Sequence, residues 1–243
     1  MKAERYAIYL APTEPEAFCR FGSSLLGYDA ELGRDAPQAL PRGFGAEEWT
    51  RWSREPRRYG FHATLKAPFR LAEGQTEDQL TRALREFARR RKPFAIALRP
   101  SLLGGFVALT LVAPNVEVAA LESATLEAFE AFRAPLTDEE LKRRLATPLN
   151  ERQKDLLARY GYPYVKEEFR LHFTLSGNLP PELRQRTLAA IGEAYSSELG
   201  DRAIAIDDLA LFKQENAAAR FRIIARAPFG PAGSKRSTLG KGA

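Results

Sequence analysis

Alternation of apolar and polar positions divides the chain into strands and helices in a recurring order. Residues 5–11 put Tyr6, Ile8 and Leu10 on one side, which predicts a strand stopped by Pro12. Residues 15–26 carry Phe18, Phe21 and Leu25 at helical spacing, and Gly27 ends that helix. Residues 29–45 are rich in Gly and Pro and read as loop, and residues 47–54 read as a short helix ended by Pro56. A strand is predicted over residues 61–71. A helix follows, opened by the capping box Thr76-Glu77-Asp78-Gln79 and striped by Leu80, Leu84 and Phe87. Strands at 94–98 and 106–112 come next, with a hairpin-like turn at Gly104-Gly105.

The second half repeats this order. Residues 169–175 read as a strand, and Pro180-Pro181 opens a helix with Leu183, Leu188 and Ile191 inward and Gly200 beyond its end. Strands at 204–212 and 220–227 flank the polar turn Gln214-Glu215-Asn216. A unit of strand, helix, strand, strand therefore occurs twice. Between the copies, residues 116–160 read as largely helical, with a second capping box at Thr137-Asp138-Glu139-Glu140 and breaks at Pro135 and Pro148. The expected fold is α+β, duplicated and two-lobed, with two antiparallel sheets around a central cleft, helices outside and a helical insertion. The expected boundaries are an N-terminal lobe over 1–115, the insertion or connector over 116–160, a C-terminal lobe over 161–228 and a flexible tail over 229–243.

Composition narrows the function classes. The chain has 243 residues, 44% hydrophobic and 28% charged, in the range of an ordinary globular domain. No stretch approaches ~18 consecutive apolar residues, so no membrane span is expected. Residues 1–12 lack a small-residue cleavage site, so no secretory signal is read there, and a cytoplasmic protein is expected. Cys19 stands alone, and one Cys with two His is a poor metal set, so neither metal nor cofactor is expected. The net charge is +6, and Lys235, Arg236 and Lys241 of the final segment supply three of those positives. The mild remainder suits a small phosphorylated substrate better than nucleic acid, which wants a concentrated basic face.

The chemistry lies in the only two histidines. His62-Ala63-Thr64-Leu65 and His172-Phe173-Thr174-Leu175 stand 110 residues apart, one in each half. In a strand, residues two apart share a face. His62, Thr64 and Lys66 then point one way, as do Arg170, His172, Thr174 and Ser176. Two imidazoles supply a general base and a general acid near neutrality, and two hydroxyls can donate to the oxygens of a phosphoryl group as charge builds on them. The pattern thus points to phosphodiester cleavage without a metal, with His62 and His172 catalytic and Thr64 and Thr174 on the phosphate. Lys66, Arg170 and Ser176 share the motif faces, and Tyr59 and Tyr164 flank them, as further substrate-binding candidates.

The paired His-x-Thr motifs resemble the 2H phosphoesterase superfamily, whose members include LigT-like RNA 2′,3′-cyclic phosphodiesterases with a duplicated α+β fold. More narrowly, Arg58-Tyr59-Gly60-Phe61-His62-Ala63-Thr64-Leu65-Lys66-Ala67-Pro68-Phe69 is similar to the branch labelled DUF1045, often described as a phosphonate-metabolism protein. So are Tyr160-Gly161-Tyr162-Pro163-Tyr164 and Glu168-Phe169-Arg170-Leu171-His172-Phe173-Thr174-Leu175. The resemblance implies the same four residues; the substrate expected from the chemistry is a small cyclic phosphate ester of a sugar or nucleotide. An RNA 2′,3′-cyclic phosphate end and a non-catalytic phosphate-binding module are the alternatives. Which histidine is acid, and the oligomeric state, stay open at this point.

Overall fold

The computed structural model describes residues 4–13 and 16–230. Its centre is one seven-stranded antiparallel sheet in the order β11-β10-β1-β4-β8-β7-β6. These strands are β1 (Arg5–Leu10), β4 (Ala63–Phe69), β6 (Leu98–Leu103), β7 (Phe106–Leu111), β8 (His172–Thr174), β10 (Asp208–Gln214) and β11 (Arg222–Pro228). Two short ladders stand apart from it: β2 (Tyr28–Asp29) with β3 (Arg34–Asp35), and β5 (Phe94–Ile96) with β9 (Ile204–Ile206). The fold is α+β with antiparallel sheets. The two sheets expected of the two halves meet edge to edge, where Ala63 of β4 pairs with Phe173 of β8.

The wings on either side of that junction mix the halves. The hairpin β6–β7, early in the chain, pairs with β8, and the late hairpin β10–β11 pairs with β1. Helices follow the same exchange. α3 (Glu77–Arg89) lies over β10 and β11, whereas α7 (Pro181–Glu198) lies over β6 and β7. Each wing thus takes its motif strand and its outer helix-covered hairpin from opposite halves.

One helix-facing core fills the space behind the sheet. Leu80 and Leu84 of α3, Ile191 of α7, and Phe18 and Phe21 of α1 (Glu16–Leu26) are buried against Ile8, Leu65, Leu109, Phe173 and Leu211 of the strands. The capping box at Thr76 forms as expected, with its hydroxyl accepting from the Gln79 amide. Phe61 and Phe173, neighbours of the two histidines, both meet Phe18 at ring-centroid distances of 5.0 and 5.3 Å. Burying the apolar phase of each motif strand here forces its polar phase to the opposite face.

Several local expectations need correction. The predicted strands at 94–98 and 204–212 are each broken in two, at Ala97 and at Asp207, so the strand β6 was missed and 204–212 became β9 and β10. The two breaks are equivalent. Ala97 C=O accepts from Val112 N–H at 3.0 Å, and Asp207 C=O accepts from Phe229 N–H at 2.7 Å. Pro100 hid β6, yet it sits on an edge strand, where a missing N–H costs least. The loop at 29–45 contains the small β2–β3 ladder. The short helix at 47–54 runs on as α2 (Ala46–Arg57), with Pro56 inside its last turn. Pro56 has no N–H for the Trp52 carbonyl four residues back, and that carbonyl accepts instead from Gly177 N–H at 2.6 Å. The proline therefore ties α2 to the end of the second motif strand. Phe229, expected to open the tail, is buried in the core, and residues 231–243 lie outside the described residues, as does position 15 of the first helix.

The connector is helical as expected but has two characters. α4 (Val116–Ala128) packs on β4 and contributes Val118 and Leu121 to the main core. α6 (Glu151–Tyr160) buries Leu156 and Tyr160 with Leu126 and Val165 in a separate small core. Between them, α5 (Asp138–Leu145) buries nothing at all.

Candidate active site

His62 stands one residue before β4, and His172 opens β8. The antiparallel register through Ala63 and Phe173 sets His62 opposite Thr174 and Thr64 opposite His172. Directly opposed residues in such a ladder have Cβ atoms about 4.5–5.5 Å apart, and diagonal pairs about 7–8 Å. The two imidazoles form a diagonal pair, a separation a single phosphoryl group can bridge. Ala63 and Phe173 face the core with no exposure, so all four motif side chains share the other face.

Both rings are held the same way. His62 Nδ1 lies 2.9 Å from the Gly60 carbonyl, and His172 Nδ1 lies 2.7 Å from the Arg170 carbonyl. A carbonyl only accepts, so each Nδ1 carries the proton and each Nε2 presents its lone pair. The Thr64 hydroxyl lies 3.4 Å from His62 Nε2. Gly60 earns its place by geometry: its φ is +78°, and a Cβ there would sit 2.7 Å from the Ala30 Cβ.

The rings differ in surroundings. His62 stacks on Tyr9, centroids 3.8 Å apart and planes 23° apart, with Tyr59 and Phe212 farther off, at 6.0 and 5.9 Å. This desolvation pushes His62 down to about 4; the Gly60 carbonyl opposes the shift and the charge of His172 adds to it. His172 has Phe106 at 5.8 Å, and burial lowers it too, against the Arg170 carbonyl.

A cavity of about 400 Å³ opens on this face, lined by Thr64, Phe106, Tyr162, Tyr164, Arg170 and His172 among others. A second, of about 750 Å³, takes in Tyr59 and Tyr164 with a group of arginines. The structure therefore brings together His62, His172, Thr64, Thr174, Arg170, Tyr59 and Tyr164. It does not bring Lys66 or Ser176. The Lys66 ammonium is 2% exposed and bonded to Glu130 Oε2 at 2.8 Å, because a register shift between β1 and β4 interrupts the alternation beside it. The Ser176 hydroxyl is fully buried, accepting from Val107 N–H at 2.9 Å and donating to the Gly177 carbonyl. Among the described residues, no three metal-ligating side chains cluster. The sequence pattern of Tyr6, Ile8 and Leu10 does not single out Tyr9, which stands on the opposite phase of β1. An aromatic on the opposite phase of that strand was the available signal.

Comparison with known proteins places this geometry in context. Two curated proteins match, both called ribose 1,5-bisphosphate phosphokinase PhnN. The one from Laribacter hongkongensis (strain HLHK9) is 41% identical over 219 residues, covering 90% of this chain and 50% of the relative. The one from Janthinobacterium sp. (strain Marseille) is 34% identical over 237 residues, covering 96% and 52%. The chain spans about half the length of these relatives. Among solved structures, E. coli LigT complexed with ATP is similar at 14% identity and a TM-score of 0.43, covering 95% of this chain and all of that one. Kluyveromyces marxianus Usb1 is similar at 11% identity and a TM-score of 0.37, covering 94% and 99%. The model of a family described as a protein of unknown function, DUF1045, matches residues 64–222, most of the chain and both wings of the sheet, and the chain belongs to that family.

Proposed function

We propose that this protein is a 2H-type, metal-independent phosphodiesterase that hydrolyses a small cyclic phosphate ester of a sugar or nucleotide. The observation that carries the reading is the facing pair of imidazoles. The two histidines sit diagonally across adjacent strands, each with its Nδ1 held on a carbonyl two residues back, and each opposite a threonine. In the proposed step, His62 Nε2 takes a proton as water oxygen bonds to phosphorus. The bond from phosphorus to one ester oxygen breaks, and His172, acting in its imidazolium form with a proton on each ring nitrogen, gives that oxygen the Nε2 proton and is left neutral. The low pKa of His62 favours it as base, since it is unprotonated in the free protein at neutral pH. Thr64 and Thr174 donate to the non-bridging oxygens, where negative charge accumulates. Arg170, at the cavity beside His172, supplies a cation for the same group. The relatives' name points to phosphorylated ribose as a chemical neighbourhood, which supports a pentose-derived ester and a place in phosphonate metabolism.

Substitution tests the reading. His62→Ala and His172→Ala should each lower turnover ~10²–10⁴-fold with the melting transition retained. A panel of cyclic nucleotides, cyclic sugar phosphates and cyclic-phosphate oligonucleotides, followed by phosphorus NMR with and without EDTA, provides the readout. Full activity in either variant rejects the roles, and loss of activity on chelation rejects metal independence. Saturable binding with no turnover anywhere in the panel would make the site a recognition module instead.

A further inference from the structure

The larger cavity beside the histidines has no role in the step just described, yet it is strongly cationic. Arg5, Arg58, Arg70, Arg143 and Arg144 line it, against Glu139 and Glu140. Arg70 is matched by Glu140 at 3.1 Å. Arg5 donates to the Gln214 amide oxygen, and Arg58 donates to the Ala217 carbonyl, both neutral acceptors. Among the described residues, none of Arg5, Arg58, Arg143 and Arg144 has a carboxylate within the 4.0 Å of an ion pair.

Arg144 is the most telling. It is half-buried, and its guanidinium lies 4.8 Å from the centroid of the Tyr162 ring. Burial lowers its pKa; the Tyr162 and Tyr59 phenols oppose that shift, while Arg143 and Arg5, cations of its own sign, add to it. Partly burying a cation among cations is unfavourable unless an anion joins them. The contact with the Tyr162 ring holds the guanidinium at the cavity, where its fork can meet a bidentate oxyanion. The helix carrying it, α5, buries no residue of its own. It is held by its capping box and by Arg70–Glu140, at the mouth of the cavity rather than in any core. Tyr59 lines this cavity with its ring 6.0 Å from that of His62, and Tyr164 lines both cavities. The two spaces are therefore neighbours.

We propose that the arginine-lined cavity is a second anion subsite, which takes a terminal phosphate monoester on the same small molecule whose diester lies between His62 and His172. This rests on the phosphodiesterase reading and narrows its substrate class to a cyclic phosphate bearing a second phosphate. A volume of about 750 Å³ suits a small ligand. A nucleic-acid strand would instead need a long basic groove with successive stacking platforms.

The test uses adenosine 2′,3′-cyclic phosphate with and without a 5′-phosphate. Binding is measured by calorimetry to the full-length His172→Ala protein, so the result does not depend on turnover. The 5′-phosphate should tighten binding about 10- to 100-fold. Arg144→Met, added to that background, should bring the ratio of the two affinities close to one, and Arg5→Met should reduce it independently should α5 be disturbed. Equal affinity of the two ligands, or a ratio untouched by both arginine variants, overturns the subsite. A cyclic-phosphate oligonucleotide that binds more tightly with each added nucleotide overturns it in favour of a nucleic-acid path. Undiminished turnover by His172→Ala sinks the catalytic reading alone, because the affinity ratio still reports on the arginines.

Discussion

At the scale of residues, two histidines of the same motif have been given different acidities by their neighbours. Tyr9 covers one face of His62 at 3.8 Å, and the loss of water there lowers its pKa to about 4. His172 is lowered as well, by burial. With only two histidines in the chain, their ring protons give two resonances that can be followed directly. His62 should titrate near pH 4 and His172 below 6.5. Inorganic phosphate should move both upward, because a bound anion favours imidazolium, whereas chloride at equal ionic strength should not. The dependence of kcat/KM on pH should accordingly peak on the acid side of neutrality, with kcat displaced upward by the bound substrate. Two rings titrating together at 6.5, indifferent to phosphate, would contradict the shared pocket. The stability linkage has the same origin. Between pH 6.5 and about 4 the unfolded chain binds a proton that His62 refuses, so the folded state loses stability as pH falls through that window.

At the scale of elements, what could be read from sequence depended on whether the deciding force was local. Capping boxes at Thr76 and Thr137 are local hydrogen bonds, and both form as expected. The motif strands were legible because Ala63, Leu65, Phe173 and Leu175 alternate with the polar positions and are all buried. Lys66 was misplaced because a bulge is set by the partner strand β1 and leaves no mark in its own segment. Arg144 was passed over because nothing within α5 distinguishes it from Arg143. Its contact with the ring of Tyr162, eighteen residues on, is what sets it apart. The segment leading to His172 is set by another non-local contact. Glu122 of α4 is buried and accepts from Lys166 N–H at 3.1 Å, where Lys166 adopts a φ of 56°. Burial raises Glu122 to about 7. Between pH 4.5 and 7 the folded chain keeps a proton that the unfolded chain releases, so this group costs stability as pH rises through that range. Glu122→Gln keeps an oxygen for the Lys166 amide and removes the charge. Urea unfolding should show the variant equal to wild type near pH 4.5 and more stable by roughly 1–3 kcal/mol at pH 8. Destabilisation at pH 8 would mean the carboxylate charge itself holds the loop.

At the scale of the whole molecule, the exchange of hairpins makes the candidate site a property of the complete chain. β8 is only three residues long, and it is the strand through which the two wings join. It pairs with β4 at one position and with β7 at three, so its hold on the wing made of β1, β4, β10 and β11 rests largely on Phe173. That ring is fully buried, meeting Phe18 edge-on at 5.3 Å and Phe61 at 5.3 Å. Because each wing draws its hairpin from the opposite half, neither half can complete a wing by itself, and unfolding should be one cooperative event. Phe173→Ala removes packing on both sides of the junction at once. A cost of about 3–5 kcal/mol is expected from the lost contacts and the cavity left behind. Leu84→Ala, in α3, which lies over β10 and β11, is the comparison, with a cost of about 2–5 kcal/mol. Both variants should lower the urea midpoint while fluorescence and circular dichroism stay coincident. At a temperature where both remain folded, only Phe173→Ala should weaken phosphate binding, since the register that sets His62 opposite Thr174 passes through that residue. Separate transitions for the two probes would show wings that fold independently. Equal phosphate affinity in the two variants would show that the imidazoles are positioned by their own strands, without help from the junction between them.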